Sequence, residues 1–197
     1  MKIVIATSNQ NKVEEIKKIF SPLKDLEILS LSDLENSPEI IEDGSTFEEN
    51  AMKKAYMISK FTDLPVIADD SGLEIDALNG EPGVYSARYG GENLTDHQRN
   101  QLVLEKMKGH VNRKARFVCA ISIVIPGEKK HTLRGECSGI ILDEIRGTNG
   151  FGYDPIFFLP EKGMTMAEIS MEEKNKISHR AKALEKAKKI IMEMRFE

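Results

Sequence analysis

Tryptophan is absent from this 197-residue chain, cysteine occurs twice and histidine four times. The two cysteines, Cys119 and Cys137, suggest no disulfide framework and have no metal-ligand spacing, so a cytoplasmic, reducing location is expected. His97, His110 and His131 are scattered without an i,i+4 pair, which argues against a zinc site. No apolar run approaches the ~20 residues that cross a bilayer. Met1-Lys2-Ile3-Val4-Ile5-Ala6 reads as a strand start and is too short for a signal peptide, so no membrane partner is expected. The net charge of −4 is a poor basis for holding duplex phosphates, and no nucleic-acid partner is expected either. A small anion in a local basic pocket is still compatible with that total. Repeats, low-complexity tracts and linkers are also missing.

What is present is a chain with 40% hydrophobic residues, enough to bury the core of one domain over residues 1–197, built as two lobes. Lys2 to Ala6 predicts a buried strand, and Val13, Ile16, Ile19 and Phe20 predict one face of a helix that Pro22 closes. Leu26 to Leu31 predicts a second strand. Thr46-Phe47-Glu48-Glu49 and Thr95-Asp96-His97-Gln98 have the form of capping boxes, each opening a helix. Ala115 to Ile125 and His131 to Leu142 read as long antiparallel strands joined at Pro126-Gly127, and Leu184, Ala187, Ile191 and Met194 mark a closing helix. Early strand–helix alternation followed by a hairpin-rich middle predicts an α/β fold: a mixed central β-sheet flanked by helices, with an active-site cleft between the lobes.

The stretch richest in chemical meaning is Pro65-Val66-Ile67-Ala68-Asp69-Asp70-Ser71-Gly72, an apolar run ending in adjacent carboxylates. Side chains alternate along a strand, so Asp69 and Asp70 are expected on opposite faces. Gly72 is expected to turn the chain out of the sheet, leaving both aspartates at its carboxyl edge, where α/β proteins bind ligands. Leu73 to Leu78 would then form the next strand, with Asn79-Gly80 as a hairpin turn.

Three other segments compete with blander readings. Thr7-Ser8-Asn9-Gln10-Asn11-Lys12 joins the first strand to the first helix and suits a phosphate, although it also reads as an ordinary N-cap and lacks the glycines of a P-loop. Glu39, Glu42 and Asp43 offer hard oxygen ligands for Mg²⁺, or simply form a solvated acidic loop. Lys174, His179 and Arg180 are expected at the start of the last helix, where cations oppose the macrodipole unless an anionic or hydrogen-bonding ligand is present, or else Ser178 is a plain N-cap and the charges are simply exposed. Phe151, between Gly150 and Gly152, can stack on a planar base or plug the core.

Taken together, Ala6 to Lys12, Thr46 to Ala51, Ile67 to Leu73, Pro82 to Tyr89, Gly150 to Phe157 and Ser178-His179-Arg180 resemble the inosine triphosphate pyrophosphatase family, in order along nearly the whole chain. The resemblance implies hydrolysis of ITP, dITP and XTP to the monophosphate and pyrophosphate, with Mg²⁺ as cofactor, in a homodimer. It implies that Thr7, Ser8, Asn9, Gln10, Asn11 and Lys12 hold the triphosphate, that Glu42 and Asp70 bind metal, and that Asp70 is also the base. Ser71, Phe151, Gly152, Tyr153, Asp154, Lys174, His179 and Arg180 would hold the nucleotide. Ser8 stands where many members carry glycine. A septum-formation-inhibitor type of pyrophosphatase and a nucleotide sensor without turnover are the competing readings at this point.

Overall fold

Alternation of side chains along the strands organises this protein, seen in a computed structural model that describes residues 1–127 and 130–194. Strands β1 (Lys2–Ile5), β2 (Glu27–Ser30), β3 (Val66–Ile75), β4 (Lys114–Val124), β5 (Lys130–Ile141), β6 (Phe157–Leu159) and β7 (Met164–Thr165) form one sheet in the order β2-β1-β3-β4-β5-β6-β7. β1 runs parallel to β2 and β3, whereas β6 runs antiparallel to β5 and β7, so the sheet is mixed as expected. The helices are α1 (Gln10–Phe20), α2 (Phe47–Thr62), α3 (Asp96–Lys106), α4 (Met171–Ile177) and α5 (His179–Glu193). Among the described residues, no helix is long and apolar enough to cross a membrane.

Contacts divide the chain into two units, the first comprising Met1–Asp70, Cys119–Gly135 and the chain from Arg180 onward. One face of its strands presents Ile3, Ile5, Ile67, Cys119 and Ile121 to Ile16 and Phe20 of α1 and to Leu184 and Ala187 of α5. The other face presents Val4, Ala6, Val66, Ala68 and Val124 to Ala55 and Ile58 of α2. The second unit, Ser71–Val118 with Glu136–His179, has its own core around Leu73, Ile75, Val103, Met107, Phe117, Ile141 and Phe157.

Local signals set most element ends. Asn9 caps α1 through its side chain, and Thr46 and Thr95 cap α2 and α3 by accepting from the amides of Glu49 and Gln98. The Thr95–Gln98 capping box is reciprocal, but at α2 the Glu49 carboxylate accepts from Ser45 instead, 2.7 Å from its amide nitrogen. The expected turn at Gly72 does not form, because β3 continues unbroken to Ile75. Glycine is needed there for close approach: an added Cβ would collide with Ser86 Oγ and the Gly83 carbonyl, and Ser86 Oγ accepts the Leu73 amide at 2.9 Å. The segment Leu73 to Leu78 is therefore the end of β3 plus a short 3-10 turn at Asp76–Leu78, which Asn79 closes in the left-handed region. Lys174 belongs to the separate helix α4, divided from α5 by the extended backbone of Ser178.

Truncating a fully buried α5 side chain tests this packing. Leu184→Ala is expected to lower unfolding free energy in urea by about 2–5 kcal/mol, and a loss below about 1 kcal/mol would contradict a close-packed first core.

Candidate functional site

The first unit concentrates charge where the parallel pairing stops. β1 pairs with β3 as far as Ile5↔Ile67, and the Ala6 amide still bonds the Ile67 carbonyl at 2.8 Å. Asp69 and Asp70 follow just beyond that register. They lie inside a ten-residue strand rather than at its end, yet at the carboxyl edge of its parallel part.

The turn from β1 into α1 holds Thr7 to Lys12. Thr7 Oγ1 accepts the Asn9 amide at 3.3 Å, Asn9 Oδ1 accepts the Lys12 amide at 3.3 Å, and Gln10 Nε2 donates to Ser32 Oγ at 3.3 Å. Ser8, Asn9, Gln10 and Asn11 are exposed, and α1 has no acidic residue in its first turn to neutralise its positive end. Lys12 turns inward, its ammonium 3.0 Å from Asp69 Oδ2.

Asp69 and Asp70 leave β3 on opposite faces, as the alternation requires. Asp69, wholly buried on the α1/α5 face, meets Lys12 and Arg180, whose Nε lies 3.3 Å from its Oδ2. The Arg180 guanidinium, itself buried, also pairs with Glu15 of α1. Burial opposes ionisation of Asp69, but Lys12, Arg180 and Lys54 outweigh it and hold the carboxyl well below the usual range. Burial pushes the thiol of neighbouring Cys119 up to about 12, which leaves it unreactive.

Asp70 faces α2. Its Oδ2 accepts from Asn50 Nδ2 at 3.0 Å, and its Oδ1 is 3.6 Å from the Lys54 ammonium, which also bonds Glu42 Oε1 at 2.8 Å. Burial raises the Asp70 pKa, and Glu42 adds to it, more than Lys54 and Lys12 lower it. Lys54 is desolvated too, yet Asp70, Asp69 and Glu42 keep it more firmly protonated than usual. Asn50 Oδ1 accepts the Gly44 amide at 2.8 Å, so one side chain ties Asp70 to the acidic loop. Asp43 pairs with Lys53 instead, and Glu39 is not drawn into these bonds. Among the described residues no group of three or more His, Cys, Asp or Glu gathers around one point. Glu42 and Asp70 do converge on a single ammonium. Two hard carboxylates around one positive charge suit Mg²⁺, which commonly takes one or two protein carboxylates and keeps its remaining places for water and phosphate.

The second unit orders the predicted base-side residues. Asp154 and Lys174 form a buried pair at 2.6 Å, and the Lys174 ammonium lies 4.5 Å from the centre of the Phe151 ring. Asp154 Oδ2 also accepts the Phe151 amide at 3.0 Å, while Tyr153 donates its hydroxyl hydrogen to the Ser86 carbonyl at 2.8 Å. His179 stacks on Phe117 with ring centres 4.9 Å apart. Ser71, the residue after Asp70, is half-buried.

Sequence reasoning missed Glu15, Asn50 and Lys54. Their signal was spacing: Asn50 and Lys54 fall on the Phe47, Ala51, Ala55, Ile58 stripe, and Glu15 sits three residues after Lys12 and four before Ile19. A polar residue at a core position of an amphipathic helix needs a buried partner.

Breaking the Asp69 network leaves Arg180 under-compensated. Asp69→Asn is expected to cost about 3–5 kcal/mol in urea unfolding at neutral pH. Because the carboxyl is held below its ordinary range, its contribution is complete above the unfolded-state pKa of about 3.9 and fades as pH falls toward the folded value. The gap between variant and wild type should therefore narrow below about pH 4, and a variant equal to wild type at pH 7 contradicts the network.

Comparison with known proteins places these features in a lineage. The chain is 51% identical to the dITP/XTP pyrophosphatase of Geobacter sulfurreducens over 185 residues, covering 93% of this chain and 92% of that one. It is 50% identical to the Bacillus subtilis dITP/XTP pyrophosphatase over 190 residues, 95% and 96% of the two chains. The Staphylococcus aureus Ham1 protein superposes with a TM-score of 0.90 at 44% identity, covering 98% of this chain and 100% of that chain. A HAM1 protein from Coxiella burnetii gives 0.91 at 42% identity, covering 98% and 99%. With sequence and fold agreeing over almost the full length, and the Ham1 family pattern matched across residues 3–190, the chain belongs to the Ham1 family.

Proposed function

We propose that this protein hydrolyses deaminated purine nucleoside triphosphates (ITP, dITP and XTP) to the monophosphate and pyrophosphate, removing them from the nucleotide pool. The observation that carries this reading chemically is the pair Asp69–Asp70: one strand supplies a buried carboxylate paired with Lys12 and Arg180 and, on its other face, a carboxylate that meets Glu42 at the Lys54 ammonium. Membership of the Ham1 family supports the same reaction, and relatives about half identical to this chain are dITP/XTP pyrophosphatases.

Phosphate chemistry is assigned to the first unit. Thr7 to Asn11 offer hydroxyls, amides and the positive end of α1 to the triphosphate, and Lys12 exchanges its Asp69 contact for phosphate oxygens. Glu42 and Asp70 would hold Mg²⁺, which when bound offsets the charge of the departing pyrophosphate. Asp70 orients the attacking water and takes its proton as the new P–O bond forms at the α-phosphorus and the bond to the bridging oxygen breaks. Lys54 and Asn50 fix the direction of that carboxylate.

Ser71, Phe151, Gly152, Tyr153, Asp154, Lys174 and His179 are assigned to the nucleotide, several of them at the base, whereas the Arg180 guanidinium is engaged by Asp69 and Glu15. Hypoxanthine and xanthine carry a 6-oxo acceptor where adenine carries a 6-amino donor. Placing a buried protein donor there favours the former, and the unmatched group costs adenine about 1–3 kcal/mol, roughly one to two decades. Guanine shares the oxo group, so its rejection falls to a close wall near the 2-amino position. A cytoplasmic homodimer is part of the same reading. Its candidate contact is Pro82 to Gly91, where Tyr85 is 59% exposed and Arg88 lies over its ring.

The test is pyrophosphate release with Mg²⁺ from dITP, XTP, dGTP and dATP in parallel. Wild type should prefer the first two by at least about tenfold. Asp70→Asn should lose about 10²–10⁴ in kcat while still binding dITP. Equal release from all four substrates, or undiminished turnover in Asp70→Asn, overturns the reading.

A further inference from the structure

We infer that Asp96 and Asn100 of α3 are specificity-determining positioning residues, which clamp Gly152 and so fix the Phe151–Asp154 segment that reads the purine base. The inference rests on the assignment of that segment to base recognition.

The clamp grips both peptide groups of one residue. The Gly152 amide donates to Asp96 Oδ2 at 2.7 Å, and the Gly152 carbonyl accepts from Asn100 Nδ2 at 2.8 Å. The same Asn100 nitrogen donates to the Asp96 main-chain carbonyl one turn earlier in α3, at 2.8 Å, which fixes the Asn100 amide against the helix. Neither residue is needed in this role by its own helix. Thr95 and Gln98 already cap α3 reciprocally, so the Asp96 carboxylate is not required as a cap. Asparagine is a poor interior helix residue, yet Asn100 is almost wholly buried with both amide hydrogens spent on carbonyls, one of them 52 residues away in sequence.

Gly152 needs such a tether. Its φ of +63° belongs to the left-handed region, and no regular secondary structure runs through residues 147–153. On either side of it the candidate recognition groups are held separately: Phe151 by Asp154 and Lys174, Tyr153 by Ser86. Among the described residues, it is the α3 clamp that holds the backbone between them. Discrimination between a 6-oxo and a 6-amino group is a matter of donor placement, so freedom at Gly152 relaxes selectivity before it slows chemistry.

The experiment measures kcat and KM for dITP and dATP with Mg²⁺, and amide hydrogen exchange over residues 150–154, in wild type, Asp96→Ala, Asn100→Ala and Asp96→Asn. Both alanine variants should exchange faster in the loop, raise KM for dITP with little change in kcat, and lower the dITP-to-dATP preference in kcat/KM about 5- to 10-fold. Asp96→Asn keeps an acceptor oxygen and should restore the preference. An unchanged preference in the alanine variants, or a fall in kcat alone, overturns the clamp as a specificity device. Wild type that does not distinguish dITP from dATP overturns the base-side assignment itself, and this role with it. Should Asn100→Ala not fold, Asp96→Ala decides, because the Asp96 side chain is 55% exposed.

Discussion

A charge buried inside a β-sheet is the constraint from which the first unit is built. Asp69 has no access to solvent, and an isolated carboxylate there would carry a penalty of several kcal/mol. Lys12 from α1 and Arg180 from α5 offset it, and Glu15 in turn balances Arg180. Two helices distant in sequence are thereby fixed to one strand at one point. The apolar contacts of Ile16, Phe20, Leu184 and Ala187 supply bulk stabilisation, but they are non-directional and tolerate sliding. The ion pairs do not, so they determine the register at which those helices sit.

Adjacency in sequence then transfers that precision to the other face. Asp70 is one residue further along an extended backbone, so fixing Asp69 also fixes the direction in which Asp70 leaves the strand. Its surroundings differ in kind. Asp69 meets a local excess of positive charge and stays ionised, whereas Asp70 shares Lys54 with Glu42 and is pushed toward its neutral form. Two chemically identical side chains thus acquire different proton affinities from the helices that cover them. A cation recruited to Glu42 and Asp70 would reverse the balance at Asp70 and leave Asp69 as it is.

Much of this was legible before any coordinates. The opposite orientation of Asp69 and Asp70, the caps at Thr46 and Thr95, and the long neighbouring strands β4 and β5 follow from period and from hydrogen-bonding capacity, which are local properties. Gly72 was misread because glycine serves two purposes, conformational freedom and closeness, and only the position of Ser86 and Gly83 distinguishes them. Lys174 was expected at the start of the last helix but lies in the separate helix α4, because Ser178 takes extended backbone between the two. Arg180, expected among the nucleotide-holding residues, lies fully buried against Glu15 and Asp69, and those partnerships join residues 165 and 111 positions apart. No local pattern carries pairing over such separations, although Glu15, Asn50 and Lys54 at core spacings did announce that buried partners had to exist.

The two units meet the same difficulty, polar groups placed with precision, in different ways. In the first, charge is held by charge on regular elements, and accuracy comes from a strand and the helices against it. In the second, the candidate recognition groups lie on a segment without regular structure, with Gly150 and Gly152 both at positive φ. Such a segment has no ladder to fix it, so each residue must be tied individually: Phe151 through Asp154, Asp154 through Lys174, Tyr153 through Ser86 and Gly152 through α3. Glycine permits the fold of the loop and adds to its entropy in the unlocked state. The ties must offset that entropy before any selectivity between similar bases is possible. Phosphate binding tolerates looseness, because charge acts at a distance and without strict direction. Distinguishing a carbonyl from an amino group does not, so an irregular segment given that task has to be tied by directional bonds.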